Sequence, residues 1–421
     1  MPNISPHPDL PRAILHVDGD GFFAGCEVAK DPSLAEKPVV VGRERGMAIA
    51  MNYIAKRMGV TRGMHMRDVA RICPTAVILD ADHATYELFS RRMNNIIGRY
   101  TPLVDHYSID ESFADITATG GDKHTIGLAI KSDLKRELGM TFSVGIAPTK
   151  VLAKLASNFQ KPDGLTMIPL SLIPQFLKKS PIEKIWGIGP RTASRLRACG
   201  VLSAHEFTQK PEEWVVRTLA KPYQEIWHEL RGESVLALNT KKREPQRSFM
   251  RTRTFSPATE ERTFLLAELS RHSEVLCARL RSHGLAAKTI TFFLKTRSMQ
   301  FYDKTVPLAY ATNIPEDILA AITAHLDEAW RPGTSYRATG ISVCDLTEEH
   351  TGAQDLFDTS GRSQKLEHLY AHIDALRERY GKSMVHLASS TSSLASAPMD
   401  TSERDQENWD RTGIPMIGMI S

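Results

Sequence analysis

Residues 13–18, AILHVD, read as a short buried strand, and the chain leaves it directly into GDGFF. Ions cannot be carried along a buried strand without partners, so Asp18 and Asp20 must stand at or just past its carboxyl end. In α/β sheets that is where ligands collect. Carboxylates placed there either cap a turn or hold a metal.

A second acidic pair, Asp110 and Glu111, lies in HYSIDESF inside an apolar, hairpin-like stretch. Adjacent charges in a buried strand pair are costly unless something positive neutralises them. If the two strands are neighbours, Asp18, Asp110 and Glu111 can bring three carboxylates to one point. Such hard oxygen donors suit Mg²⁺, which keeps positions for water and substrate phosphate. Two such ions about 3.5–4 Å apart can promote an in-line phosphoryl transfer. The alternative is a set of turn carboxylates in ordinary salt bridges.

A chain of 421 residues exceeds one ordinary core, and two to four domains are expected. It has no run of 18 apolar residues and its first 20 residues lack a secretory cleavage pattern, so secretion and membrane spanning are not expected. Cys26, Cys73, Cys199, Cys277 and Cys344 are far apart, odd in number and never form a CxxC pair, which reads as reduced core thiols in a cytoplasmic protein. Net charge is only +4, but residues 241–310 carry 14 Lys and Arg against 6 Asp and Glu. That segment is either a solvated face or a nucleic-acid surface.

Over the first 170 residues strand-like runs alternate with amphipathic helical stretches: AILHVD, PVVVG, AVILDAD, the pair around VDHYSIDESFADIT, TFSVGIA and GLTMI. This predicts a mixed sheet with helices packed on it. Residues 176–240 read as helical, and the polar linker NTKKREPQR comes next. Residues 247–346 then give strand, helix 260–283, two strands, helix 314–330 and a last strand, the β-α-β-β-α-β order of a split βαβ unit. Beyond 349 the chain is polar, with one further helix expected at 362–380 and a Ser-, Thr- and Asp-rich end read as flexible. The fold class is α+β and multidomain.

HVDGDGFFAGCE, NYIAKRMGV, YSIDESFADIT, FSVGIAPTKVLAKLASNFQKPDG and IWGIGPRTASRLRACGV occur in the order and spacing of Y-family translesion DNA polymerases, and resemble most the DinB-type branch. The resemblance covers roughly residues 13–346. It implies a right hand: a ferredoxin-like palm (1–20 and 80–175), small fingers (21–79), a helical thumb with a helix-hairpin-helix (176–240), a little finger (247–346) and a tail (349–421). It implies two Mg²⁺ ions held by Asp18, Asp110 and Glu111 with the Gly19 carbonyl, and an error-prone, template-directed polymerase without a proofreading nuclease. Asp20 matches a residue that is mostly structural, and turn capping is also its simpler physical reading.

Phe22 is either core or a nucleotide contact. Phe23 matches the position under the sugar of the incoming nucleotide, where a ring collides with a 2′-hydroxyl and so serves as sugar gate. Tyr53 and Lys56 share one face of a helical turn, and Lys161 precedes a proline turn. Each reads alone as a surface residue; the resemblance makes them a triphosphate clamp. The family pattern that the chain resembles has, in most members, arginine at Lys56 and a hydroxyl residue near Ala50, commonly bulkier residues at Gly19 and Gly21, and usually alanine at Ser112. A weaker grip on the triphosphate and a looser turn under metals and gate are expected.

GIGPRTASRLRACG has Gly187 and Gly189 for a tight turn, Pro190 at a first helical position and Gly200 to close the helix. With Arg191 and Arg195 following, it reads as a phosphate-binding hairpin, a plain αα-corner being the alternative. Arg247, Arg251 and Arg253 alternate along a strand, which reads as an exposed basic strand along DNA or as solvated edge charges. Gln354, Leu356 and Phe357 in GAQDLFD resemble the motif by which bacterial replication proteins bind the sliding clamp; IPMIGMIS is a second candidate contact. The expected partners are primer-template DNA, deoxynucleoside triphosphates and the clamp, with the protein acting as a monomer. Two other readings are an inactive DNA-binding accessory protein, which the three carboxylates argue against, and a palm-fold nucleotide cyclase, which leaves the hairpin and basic domain unused.

Overall fold

The computed structural model describes residues 10–240, 247–348, 362–380 and 385–395. The chain divides into two compact units between Lys241 and Lys242.

The first unit begins with β1 (Ile14–Gly19), α1 (Phe22–Lys30), β2 (Val39–Val41), β3 (Ala50–Met51), α2 (Tyr53–Arg57), α3 (Met66–Ile72) and β4 (Val77–Leu79). It continues through α4 (His83–Gly98), β5 (Val104–Asp105), β6 (Glu111–Asp115), α5 (Lys123–Leu138), β7 (Phe142–Ala147), α6 (Lys150–Phe159) and β8 (Leu165–Met167). Helices α7 (Ile173–Lys178), α8 (Pro190–Ala198), α9 (Ala204–Thr208), α10 (Glu212–Thr218) and α11 (Lys221–Leu230) close it.

Its main sheet has the order β5-β6-β1-β7-β8. The expected strand β1 takes the centre, antiparallel to both β6 and β7, and is buried on both faces. Leu15 and Val17 join α1, α4 and α5 in one core, while Ile14 and Phe113 join α6 and the later helices in another. Residues 39–79 form a separate small sheet, β3-β2-β4, with Val40, Ala55, Val60 and Val69 as its core.

The helical stretch is anchored to α6 by a buried carboxylate. Glu229 on α11 accepts the amide of Val151 at the start of α6 (3.1 Å) and the amides of Val235 and Leu236 (2.8 and 2.9 Å). Glu229 is fully buried, and its oxygens are satisfied by these helix-terminal and loop amides.

The second unit runs β9 (Ser248–Thr259), α12 (Arg262–Arg281), β10 (Leu285–Thr296), β11 (Phe301–Thr312), α13 (Pro315–Ala329) and β12 (Tyr336–Glu348). The sheet order β11-β10-β12-β9 is that of the expected split βαβ unit, with α12 and α13 on one face over Ile290, Phe292, Leu294, Ile341 and Val343. The basic strand departs from its expected setting. Arg251 and Arg253 do share a face, but it is the inward one, with buried Phe249 and Phe255; the residues that alternate with them, Met250, Thr252 and Thr254, are exposed. Arg253 pairs with fully buried Glu268 of α12. A strand's period of two assigned the shared face, and the helix supplied the partner that drew the charge inside.

Helix α14 (Arg362–Tyr380) occupies the span expected for it. Of the Ser-, Thr- and Asp-rich end read as flexible, residues 385–395 instead pack on α12, and the expected helix α14 packs on α12 and α13. Arg281 grips Asp374 with two bonds (2.6 and 2.9 Å), Arg377 bonds Glu274 (2.7 Å), Tyr370 donates to Glu316 (2.7 Å) and Ser393 donates to Glu268 (2.7 Å). Residues 396–421 lie outside the described residues, IPMIGMIS among them. Among the described residues no helix is long and apolar enough to cross a membrane.

Candidate active site

Strand pairing puts two acids face to face: Asp18 on β1 is the register partner of Glu111 on β6. The next rung holds the third acid, as the Gly19 amide donates to the Asp110 carbonyl (2.9 Å). Like charges directly opposed in a sheet repel, so this arrangement persists only with counter-ions. Lys161 supplies one, bonded to Asp18 Oδ1, and Lys154 of α6 the other, bonded to Glu111 Oε2. Asp110 accepts from the Ser108 hydroxyl (2.6 Å).

The three carboxylates are thus neighbours, but their side chains do not converge, and among the described residues no group of three acidic, His or Cys side chains is set to hold a metal. Electrostatically they form one site. Burial pushes the Asp18 carboxyl well above its usual range; Lys161 pulls it back, and Glu111 and Asp110 push it further up. An oxygen-only set of three neighbouring carboxylates, with ammonium groups standing where positive charge is demanded, fits a hard divalent cation.

Asp20 is engaged elsewhere. It accepts from the Ser143 hydroxyl (2.8 Å) and the Asp163 amide (2.7 Å), tying the turn after β1 to β7 and to the loop after Lys161. Behind the acids, buried Ser112 donates to Asn94 Oδ1 (2.6 Å), a bond alanine could not make. Fully buried His16 is held neutral by desolvation, its pKa well below the usual range, and its Nδ1 lies 2.8 Å from Ser157 Oγ.

The turn under the acids is tight where looseness was expected. Gly21 has φ +59° as the residue preceding α1, and a Cβ there would lie 2.6 Å from the Met51 carbonyl oxygen. At Gly19 a Cβ would meet the Phe22 ring at 2.5 Å, so Phe22 fills the space that a side chain at 19 would take. Phe22 is buried in the core. Phe23, half-buried, stacks on Tyr86 (4.3 Å between ring centroids, 13° between planes) and meets the His83 ring edge-on at 5.6 Å. Tyr86 in turn donates to Glu27 (2.7 Å).

Tyr53 and Lys56 share one face of α2, the ammonium 5.0 Å from the ring centroid. Burial, then the charges of Asp20 and Asp18, push the Tyr53 hydroxyl up to about 12, which sets it within the field of the acids. In the hairpin, Gly187 has φ +86°, Gly189 precedes α8 and Pro190 is its first residue; Arg191 and Arg195 are exposed. Gln354, Leu356 and Phe357 lie outside the described residues.

Lys154, Tyr107, Trp186, Tyr86 and His83 were not singled out from sequence. Each acts through a partner far along the chain. Only the acid pair's need for a counter-charge signalled that a lysine must exist.

The chain matches the impB/mucB/samB family over residues 17–158, that family's C-terminal domain over 246–356 and its helix-hairpin-helix motif over 173–201. It is 33% identical over 323 residues to a DNA polymerase IV of Methanoculleus marisnigri, covering 75% of this chain and 89% of that one. A DNA polymerase IV of Moorella thermoacetica is 31% identical over 387 residues, covering 89% and 95%. A Y-family DNA polymerase chimera of known structure superposes with a TM-score of 0.68 at 23% identity, over 80% of this chain and all of that one.

Proposed function

Since the chain belongs to the impB/mucB/samB family of DinB-type, Y-family DNA polymerases, we propose that the acids of β1 and β6 are the centre at which it extends a primer. It is a template-directed, Mg²⁺-dependent DNA polymerase of the translesion class. The observation that carries the site assignment is the register pair Asp18–Glu111, which the fold holds together with two lysine counter-ions.

In this reading Asp18, Asp110, Glu111 and the Gly19 carbonyl would hold two Mg²⁺ ions. When bound, the pair activates the primer 3′-hydroxyl toward the α-phosphate and stabilises the leaving pyrophosphate. Lys161, released from Asp18, joins Tyr53 and Lys56 in binding the triphosphate as point charges and a hydroxyl donor. Phe23, braced by Tyr86, is the surface under the sugar and excludes a 2′-hydroxyl. Phe22 supports that surface from the core. The amides at the start of α8, beside Gly187, Gly189 and Arg191, bind a backbone phosphate without reading sequence.

The palm, fingers, thumb and little finger are assigned to 1–20 with 80–175, 21–79, 176–240 and 247–346. Of the strand arginines only Arg247 is kept as a phosphate contact, because Arg251 and Arg253 face the helical layer. Gln354, Leu356 and Phe357 are assigned to a sliding clamp on their sequence alone, and the enzyme is assigned to the cytoplasm as a monomer. The test is primer extension on an undamaged template with Mg²⁺ and deoxynucleotides, wild type beside Asp110→Asn. Extension should be lost in the variant while its affinity for primer-template stays within about twofold; substantial retained extension would sink the site.

A further inference from the structure

The two lysines on the acidic pair are not equivalent. Lys161 reaches Asp18 from the loop beyond α6, whereas Lys154 projects from the middle of α6 between a carboxylate and two aromatic rings. Its side chain is 13% exposed and that of Glu111 17%. On the other side the ammonium stands 4.9 Å from the Tyr107 ring centroid and 5.5 Å from that of Trp186. These rings meet edge to face at 5.3 Å, and the Trp186 indole N–H donates to the Tyr107 hydroxyl (3.1 Å), so they form one fixed surface. Trp186 immediately precedes Gly187, the positive-φ residue of the hairpin.

A cation so placed has two partners of unequal strength. The carboxylate is the stronger while it is bare. Once another positive charge neutralises Glu111, the attraction falls away and the ring faces become the better site. We propose that Lys154 is a built-in counter-ion that holds Glu111 when no divalent cation is bound and yields it when one arrives, with Tyr107 and Trp186 as the shelf that keeps the displaced ammonium. The inference rests on the reading of Glu111 as a metal ligand.

Mn²⁺ binding to the full-length protein, followed by loss of the free-ion electron paramagnetic resonance signal, tests it without turnover. Lys154→Met removes the competing charge and should bind Mn²⁺ several-fold more tightly than wild type; Lys154→Gln serves if the methionine variant misfolds by circular dichroism. Trp186→Leu removes part of the shelf and should weaken Mn²⁺ binding about two- to fivefold. In the Lys154→Met background the same Trp186→Leu change should have no effect, because no ammonium remains to be housed. Unchanged or weaker Mn²⁺ binding in both Lys154 variants overturns the counter-ion role, and a Trp186 effect that persists without the lysine overturns the shelf. Glu111→Gln separates the two failures: if it leaves Mn²⁺ binding at the wild-type level, the metal-site reading itself has failed.

Discussion

Phe23 is held by Tyr86 on one face of its ring and by His83 edge-on, so a sugar gate at this position is rigid before a nucleotide arrives. The stacked Tyr86 cannot retreat, being fully buried with its hydroxyl on Glu27. Truncation to Phe23→Ala opens the space a 2′-hydroxyl needs, and the ribonucleotide-to-deoxyribonucleotide ratio of kcat/KM should rise roughly 10–100-fold. Competition between the two nucleotides in primer extension measures it; an unchanged ratio removes the gate from Phe23. The ring's position was legible because two phenylalanines directly follow an acidic strand end. Its brace was not, since nothing local in HATYELF points to residue 23. Gly19 and Gly21 teach the same point in reverse: small residues suggest slack, but the room they leave is taken by the Phe22 ring and the Met51 carbonyl.

At the scale of an element, β9 shows how far a period of two can be trusted. The alternation is legible and its direction is not, because arginine equates with exposure only until a buried acid is near, and Phe249 and Phe255 fall on the same parity. Inside, Arg253 neutralises Glu268, whose carboxylate also accepts from Ser393. Removing one partner leaves a buried charge, so Arg253→Met should destabilise the second unit by about 3–5 kcal/mol, and adding Glu268→Gln should recover much of that loss. Urea unfolding of the two variants checks it. DNA affinity measured on folded Arg253→Met should keep the wild-type dependence on salt, as an inward arginine releases no counter-ion from a phosphate. A slope shallower by about one would return Arg253 to the DNA surface.

At the scale of the whole molecule, the sequence divides where the chain divides: the polar linker at 239–247 contains the boundary between the units, and the β-α-β-β-α-β order beyond it was readable from periodicity alone. The region after residue 349 was less legible, because a polar helix with weak amphipathicity shows no face that demands burial. Its contacts are ion pairs and hydrogen bonds instead. The family's C-terminal domain ends its match at 356, yet Asp374, Arg377, Tyr370 and Ser393 beyond it satisfy Arg281, Glu274, Glu316 and Glu268 on α12 and α13. Ending the chain after residue 361 strips partners from groups that are mostly buried, and each such loss costs more than an exposed pair would. The second unit should then melt earlier by roughly 10 °C, at about 2–4 °C per kcal/mol for a unit of this size, while the first unit's transition stays in place. Differential scanning calorimetry resolves the two transitions. Because Gln354, Leu356 and Phe357 survive this truncation, clamp-stimulated synthesis at a temperature where the shortened second unit is still folded should match wild type; a loss there would mean that the docked segment, and not only the short motif, takes part in the clamp contact.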